Sequence, residues 1–225
     1  MLAAVAGEVP DAVWCLGDTV GYGPRPNECC SLVEEAAEVC LVGNHDLLAL
    51  GAEVLAGEFN PDAATAAVWT RGILDQPSRR FLSGLEPYAH LERADLFHAS
   101  ARDPVWEYVL GGEAALATFE LTSSPLVLVG HSHVPFAITL DGDELSGAHA
   151  PDGTEADLSS GRRLCNPGSV GQPRDGDPRA AWLLVDFGRE SASFRRVPYD
   201  IEATQAEIRE AGLPSSLAER LGHGI

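Results

Sequence analysis

One pattern constrains this 225-residue chain more than any other. A short apolar run ends in Gly or Phe, and the next side chain is Asp, Asn or His. Residues 12–16 (AVWCL) run into Gly17-Asp18, and residues 38–42 (EVCLV) run into Gly43-Asn44-His45-Asp46. Residues 95–97 run into His98, and residues 125–129 (PLVLV) run into Gly130-His131-Ser132-His133. Short apolar runs without alternation read as buried strands. The stretches between them read as helices: 26–37, with proline in its first turn and Glu34 and Glu35 outward; 61–76 and 78–85, capped by Asn60 and Ser78; and 112–121. Strands that alternate with helices predict an α/β fold, and in such sheets ligands gather beyond the carboxyl ends of the strands.

The second half changes character. Residues 136–140, 162–165, 181–186 and 192–197 read as strands joined by Gly- and Asp-rich turns such as Asp141-Gly142-Asp143, and residues 201–211 and 215–221 read as a helical tail. No linker interrupts the chain, which predicts a single α/β domain over residues 1–225 with two sheets in a sandwich.

Composition narrows the function classes. Fifteen Lys+Arg against thirty-four Asp+Glu give a formal net charge of -19, which repels polyanions and argues against general nucleic-acid binding. All fifteen basic residues are arginine, so lysine Schiff-base chemistry and a P-loop are both excluded. The five cysteines include no C-x-x-C pair, so buried thiols in a reducing cytosol are expected, with Cys15 and Cys40 as inert core. No apolar stretch reaches the length of a membrane span and no basic leader precedes an apolar segment, which predicts a cytoplasmic protein without membrane partners.

Asp18, Asn44, His98 and the His131-x-His133 pair suit a hard-to-borderline divalent cation. A carboxylate can bridge two metals, and imidazoles and an amide add ligands without adding charge. On an extended loop His131 and His133 can address adjacent metals. Metals held this way clamp a phosphate and activate water. His45, directly after Asn44, can protonate a leaving oxygen, oriented by Asp46 or Asp18. Taken singly, each residue has a structural reading: Asp18 as a turn residue, Asn44–Asp46 as a locally bonded loop, His98 as a buried histidine. Arg102 and Arg174 can bind phosphate bidentately or simply be solvated. Gly168 can let backbone N–H groups approach a phosphate. Trp106 and Tyr108 read as core, with a substrate wall as the alternative, and His90, His149 and His223 read as surface residues. No G-x-S-x-G is present and no cysteine lies beside a histidine, which argues against a serine or cysteine hydrolase.

Gly17-Asp18-x-x-Gly21-Tyr22-Gly23, Gly43-Asn44-His45-Asp46, His98 and Gly130-His131-x-His133 together resemble the calcineurin-like metallophosphoesterase superfamily. The segment Asn166-Pro167-Gly168-Ser169-Val170-Gly171-Gln172-Pro173-Arg174 resembles its bacterial and archaeal branch near the small phosphodiesterases and diadenosine-tetraphosphatase-like proteins. The resemblance implies a four-layer αββα sandwich of two mixed β-sheets. It implies two metal ions, Mn, Fe or Zn, with Asp18 bridging them, Asn44, His98 and His131 on the second and His133 on the first. It also implies His45 beside the scissile phosphate, and a phosphorylated small-molecule or nucleotide-like substrate. The family's first motif, Asp-x-His, has no counterpart before Asp18, and the opening nine residues look like the helix that follows it. A chain lacking the first strand, with one metal site more complete than the other, is therefore expected. A one-metal member that binds phosphate or a partner without turnover is the rival to an active hydrolase.

Overall fold

A computed structural model describes residues 1–52 and 60–225. The chain divides into one unit of residues 2–87 and 200–223, and another of residues 88–199, 224–225 and 1.

In the first unit, helix α1 (Leu2–Gly7) precedes strand β1 (Trp14–Cys15), which pairs in parallel with β2 (Val39–Cys40) through helix α2 (Pro26–Ala36). Both strands are shorter than their apolar runs. Backbone pairing nonetheless continues past them, from Glu38 N–H to the Val13 carbonyl and from Leu41 N–H to the Cys15 carbonyl. Helix α3 (Asn44–Leu50) begins on the second apolar run's polar end, where the sequence suggested only a loop; Gly51, in left-handed conformation, stops it. Helix α4 (Pro61–Ile73) starts with Pro61 and is capped by the Asn60 side chain, as expected. Helix α5 (Gln76–Ser83) starts earlier than predicted: Asp75 is its cap and accepts the N–H of Ser78, so Ser78 lies inside the first turn.

In the second unit, β3 (Tyr88–His90), β4 (Ala94–Phe97), helix α6 (Gly112–Leu121), β5 (Leu126–Val129), β6 (Phe136–Asp141), β7 (Glu144–His149), β8 (Glu155–Asp157), β9 (Arg162–Asn166), β10 (Ala180–Asp186) and β11 (Ser191–Val197) follow in turn. Six form a mixed sheet in the order β3-β4-β5-β9-β6-β7, in which β4, β5 and β9 run parallel. Strands β10, β11 and β8 form a separate antiparallel sheet. The strand β7 is exposed and polar, so it carries no alternation to betray it; it exists because a two-residue turn folds it onto β6. Phe97, Phe119, Val127, Val129 and Leu164 pack α6 onto the mixed sheet. Full burial of such side chains contributes about 1.5–3 kcal/mol each.

The tail returns to the first unit. Helices α7 (Ile201–Glu210) and α8 (Ser215–Glu219) bury Ile208, Leu213, Leu217 and Leu221 against Ala66 of α4. Among the described residues, no helix is long and apolar enough to cross a membrane. His90, His149 and His223 are exposed, as their polar surroundings suggest.

Candidate metal centre

Each unit carries its candidate ligands at the carboxyl ends of its parallel strands. In the first unit these are Asp18, after β1, and Asn44, at the start of α3. Asp18 has φ 54, a left-handed backbone that non-glycine residues seldom adopt. Its Oδ1 accepts the backbone N–H of His45 at 2.9 Å. Asp46, fully buried, accepts the N–H of Val20 at 3.0 Å and of Gly43 at 2.9 Å, so one carboxylate ties the loop after β1 to the start of α3. Through these backbone bonds both carboxylates anchor the loops that present Asp18, Asn44 and His45. The approach of these loops requires glycine: a Cβ on Gly43 would lie 2.0 Å from Asp18 Oδ1, and one on Gly21 would lie 2.6 Å from the His45 Cβ. The Tyr22 ring packs 4.2 Å from that of His45.

In the second unit the parallel strands β4, β5 and β9 end side by side, since Phe97 is in register with Val129 and Leu128 with Cys165. His98, the Gly130–His133 loop and Asn166 follow at that edge, and Gly130 N–H donates to the His98 carbonyl at 2.9 Å. His98 and His131 are both buried, their ring centroids 5.0 Å apart. His131 and His133 have φ 58 and 61, so both adopt left-handed backbone and the loop is not extended as expected. Asn166 pins it: the buried amide donates to the Gly130 carbonyl at 2.5 Å and to the Ser132 hydroxyl at 3.0 Å, and its oxygen accepts the N–H of Gly168 at 2.8 Å.

The hydrogen bonds of the two histidines fix their tautomers. His131 Nε2 lies 3.2 Å from the Trp106 carbonyl, and His133 Nδ1 lies 2.8 Å from the Gln172 carbonyl. A carbonyl only accepts, so those nitrogens carry the protons. The lone pairs are then Nδ1 of His131 and Nε2 of His133. Burial first, then the neighbouring His98, pushes the His131 pKa down to about 3, against the opposing pull of the Trp106 carbonyl. Its imidazole is therefore neutral, the form that binds a metal. The buried histidines of this unit, two of them on left-handed backbone, and the carboxylate and amide of the first unit are each donors of a kind that fits a divalent cation.

Trp106 and Tyr108 depart from their predicted place in the core. They are 38% and 44% exposed, and Tyr108 stacks on the His131 ring at 3.8 Å and 17°. The segment is anchored through the alternate residue: Glu107 accepts hydrogen bonds from Ser100 Oγ and the Arg102 guanidinium. Arg102 is ion-paired with Glu107 and Glu113. Arg174 donates to Gln172 Oε1 at 3.0 Å, and its backbone N–H to the His133 carbonyl at 3.2 Å. Gly168, at φ 87, gives its own N–H to Asn166. Tyr108, Asn166 and Gln172 are thus parts of this site that the motifs did not single out as supports of ligands. For Asn166 a signal existed, since it too follows an apolar strand end.

The family model for the calcineurin-like phosphoesterase superfamily domain matches residues 1–189. The Methanocaldococcus jannaschii protein MJ0912 is 35% identical over 214 residues, covering 93% of this chain and 85% of its own length. A crystal structure of a metallophosphoesterase from Sphaerobacter thermophilus superposes with a TM-score of 0.89 at 41% identity, covering 100% of this chain and 93% of that one. The Pyrococcus horikoshii protein PH1004 shares the fold, with a TM-score of 0.76 at 20% identity over 100% of this chain and 93% of its own. With its motifs, its mixed-sheet α/β architecture and these likenesses in agreement, the chain belongs to the calcineurin-like phosphoesterase superfamily.

Proposed function

We propose that this chain is a cytoplasmic metal-dependent phosphoesterase that hydrolyses a phosphodiester or phosphomonoester of nucleotide-like size, built as one four-layer αββα domain. The observation that carries the reading is backbone strain. Among the described residues, five non-glycine positions have positive φ, and three of them are Asp18, His131 and His133. Strain of this kind costs about 1–3 kcal/mol per residue and concentrates at functional sites.

Asp18, Asn44, His98, His131 and His133 are the proposed ligands, each a carboxylate, amide or imidazole donor of the kind that holds a divalent metal ion. A bound Mn, Fe or Zn supplies Lewis acidity toward a phosphoryl oxygen and lowers the pKa of a bound water. The chain's own residues do the rest. His131 and His133 present Nδ1 and Nε2 because carbonyls hold their other nitrogens. Tyr108 fixes the plane of His131. His45, positioned by its backbone bond to Asp18, protonates the leaving oxygen. Arg174 is a proposed phosphate contact, since its backbone N–H bonds the His133 carbonyl and so places it beside the ligand loop; Arg102, the other candidate, is ion-paired with Glu107 and Glu113. Gly168, at φ 87, gives its N–H to the Asn166 side chain that holds the ligand loop.

The test is hydrolysis of bis-p-nitrophenyl phosphate and p-nitrophenyl phosphate by chelator-treated protein, with Mn²⁺, Zn²⁺ or Fe²⁺ restored singly. Metal-restored turnover of either ester is expected. Stoichiometric metal binding without turnover of either would make the protein a binding member of the superfamily.

A further inference from the structure

The two strands that lead to Asp18 and Asn44 carry a cysteine each, and the ladder places those cysteines opposite one another. Cys15 of β1 is in register with Cys40 of β2. Adjacent strands lie about 4.7–4.9 Å apart, inside the Cα separation of about 4.4–6.8 Å that a disulfide spans. Register partners on parallel strands also point to the same face. Thr19 Oγ1 lies 4.0 Å from Cys15 Sγ and 3.7 Å from Cys40 Sγ, so one hydroxyl touches both sulfurs. Both residues are half-buried rather than sealed in the core, unlike Cys30 and Cys165.

We propose that Cys15 and Cys40 are a reversible thiol-disulfide site, oxidised by hydroperoxides, that acts on the loops carrying Asp18 and Asn44. The neighbouring Cys40 thiol holds Cys15 below its ordinary pKa, while Cys15 pushes Cys40 above its own. That difference favours Cys15 as the attacking thiolate. Cys15 thiolate attacks one oxygen of the peroxide and takes up a hydroxyl as sulfenic acid, while the other oxygen leaves as water after gaining a proton. Cys40 thiol then attacks the sulfenic sulfur, the S–S bond forms, and a second water leaves with the Cys40 proton. In sum, two thiols and hydrogen peroxide give one disulfide and two waters. The expected effect on the loops rests on the metal assignment proposed above. Cys15 lies three residues before Asp18 and Cys40 four before Asn44, so a covalent bond between the strands fixes the spacing from which both loops start.

The experiment exposes reduced, metal-free full-length protein to hydrogen peroxide, blocks remaining thiols with iodoacetamide and cleaves after glutamate. That cleavage separates Cys15 (residues 9–28), Cys29 with Cys30 (29–34) and Cys40 (39–53). The expected product is a peptide pair linking 9–28 to 39–53, lost on treatment with dithiothreitol and in Cys15→Ser and Cys40→Ser, but retained in Cys29→Ser. Alkylated Cys15 and Cys40 at peroxide doses that oxidise Cys29, or an irreversibly oxidised Cys15 without the linked pair, would overturn the site. Because this readout needs no metal, it stands apart from the metal assignment. Zn²⁺ affinity then tests the coupling. The oxidised protein is expected to bind about tenfold more weakly, the scale on which displaced supports alter metal sites. Equal affinity in a protein shown to carry the disulfide would overturn the coupling.

Discussion

Asp18 Oδ1 accepts the backbone N–H of His45 at 2.9 Å, which makes the strained residue after β1 the anchor for the start of α3. The contact depends on Gly43, whose missing side chain leaves the space that Asp18 occupies. The candidate metal ligand and the acid–base candidate are thereby coupled through a single carboxylate.

Replacing Gly43 by alanine should therefore disturb both. Its Cβ would fall 2.4 Å from the Asp18 backbone nitrogen as well as 2.0 Å from Oδ1, and backbone cannot swing aside like a flexible side chain. Overpacking of this kind costs about 1–3 kcal/mol, or roughly 2–12 °C in Tm for a chain of this size. Thermal melting checks it, and an unchanged Tm would contradict the packing described.

His45→Ala should lower kcat by about 10²–10⁴-fold, the usual contribution of general acid–base catalysis. Metal content should fall far less, because the Asp18 contact uses the backbone N–H, which alanine retains. The assay needs a poor leaving group, since a good one departs without a proton. Near-normal kcat on an alkyl phosphodiester would remove His45 from the mechanism.

The Asn166 amide serves three partners across the ligand loop and the turn after β9. Asn166→Ala leaves buried groups without those bonds, at a cost of about 1–3 kcal/mol for each group left unsatisfied. The expected outcome is a lower Tm together with weaker Zn²⁺ binding, read by competition with a chromophoric chelator. Unchanged values of both would show that the loop holds itself.

Acid should destabilise the metal-free protein through His131. The folded chain holds this imidazole neutral, with a pKa pushed down to about 3, whereas an unfolded histidine titrates near ~6.5. Between these values the unfolded chain binds the extra proton. The stabilisation is therefore complete above about pH 6.5 and is lost progressively as pH falls toward the folded value. From pH 6.5 to 4.5 the wild type should lose about 2 kcal/mol more than His131→Gln, given ~1.4 kcal/mol per unit of difference. Urea unfolding at several pH values checks the slope, and parallel slopes would contradict the assignment.

The strand ends that present Asp18, Asn44, His98 and His131 were legible because the parallel strands are mostly apolar, and a polar residue after Gly or Phe marks where they stop. What supports those residues was not. Asn166 was visible as a polar residue at a strand end, but its action on a loop 34–36 residues earlier is a distance no local pattern encodes. The left-handed backbone at His131 and His133 comes from that tertiary support and not from glycine. Trp106 and Tyr108 looked like core because large aromatics usually are; here Glu107 and the buried Val109 face inward and hold the aromatics outward. The helix α3 was masked by its own start, since Asn44, His45 and Asp46 resemble a turn. Strand β7 lacked alternation because only its backbone is needed to pair with β6.

The metal content of the purified protein, measured by elemental analysis beside His98→Ala, His131→Ala and Asp18→Asn, tests the account most directly. The wild type should retain at least one Mn, Fe or Zn per chain through extensive dialysis. Each variant should lose most of it while keeping the far-ultraviolet circular dichroism of the wild type. Equal metal content in all four proteins would contradict the assignment of these residues as ligands.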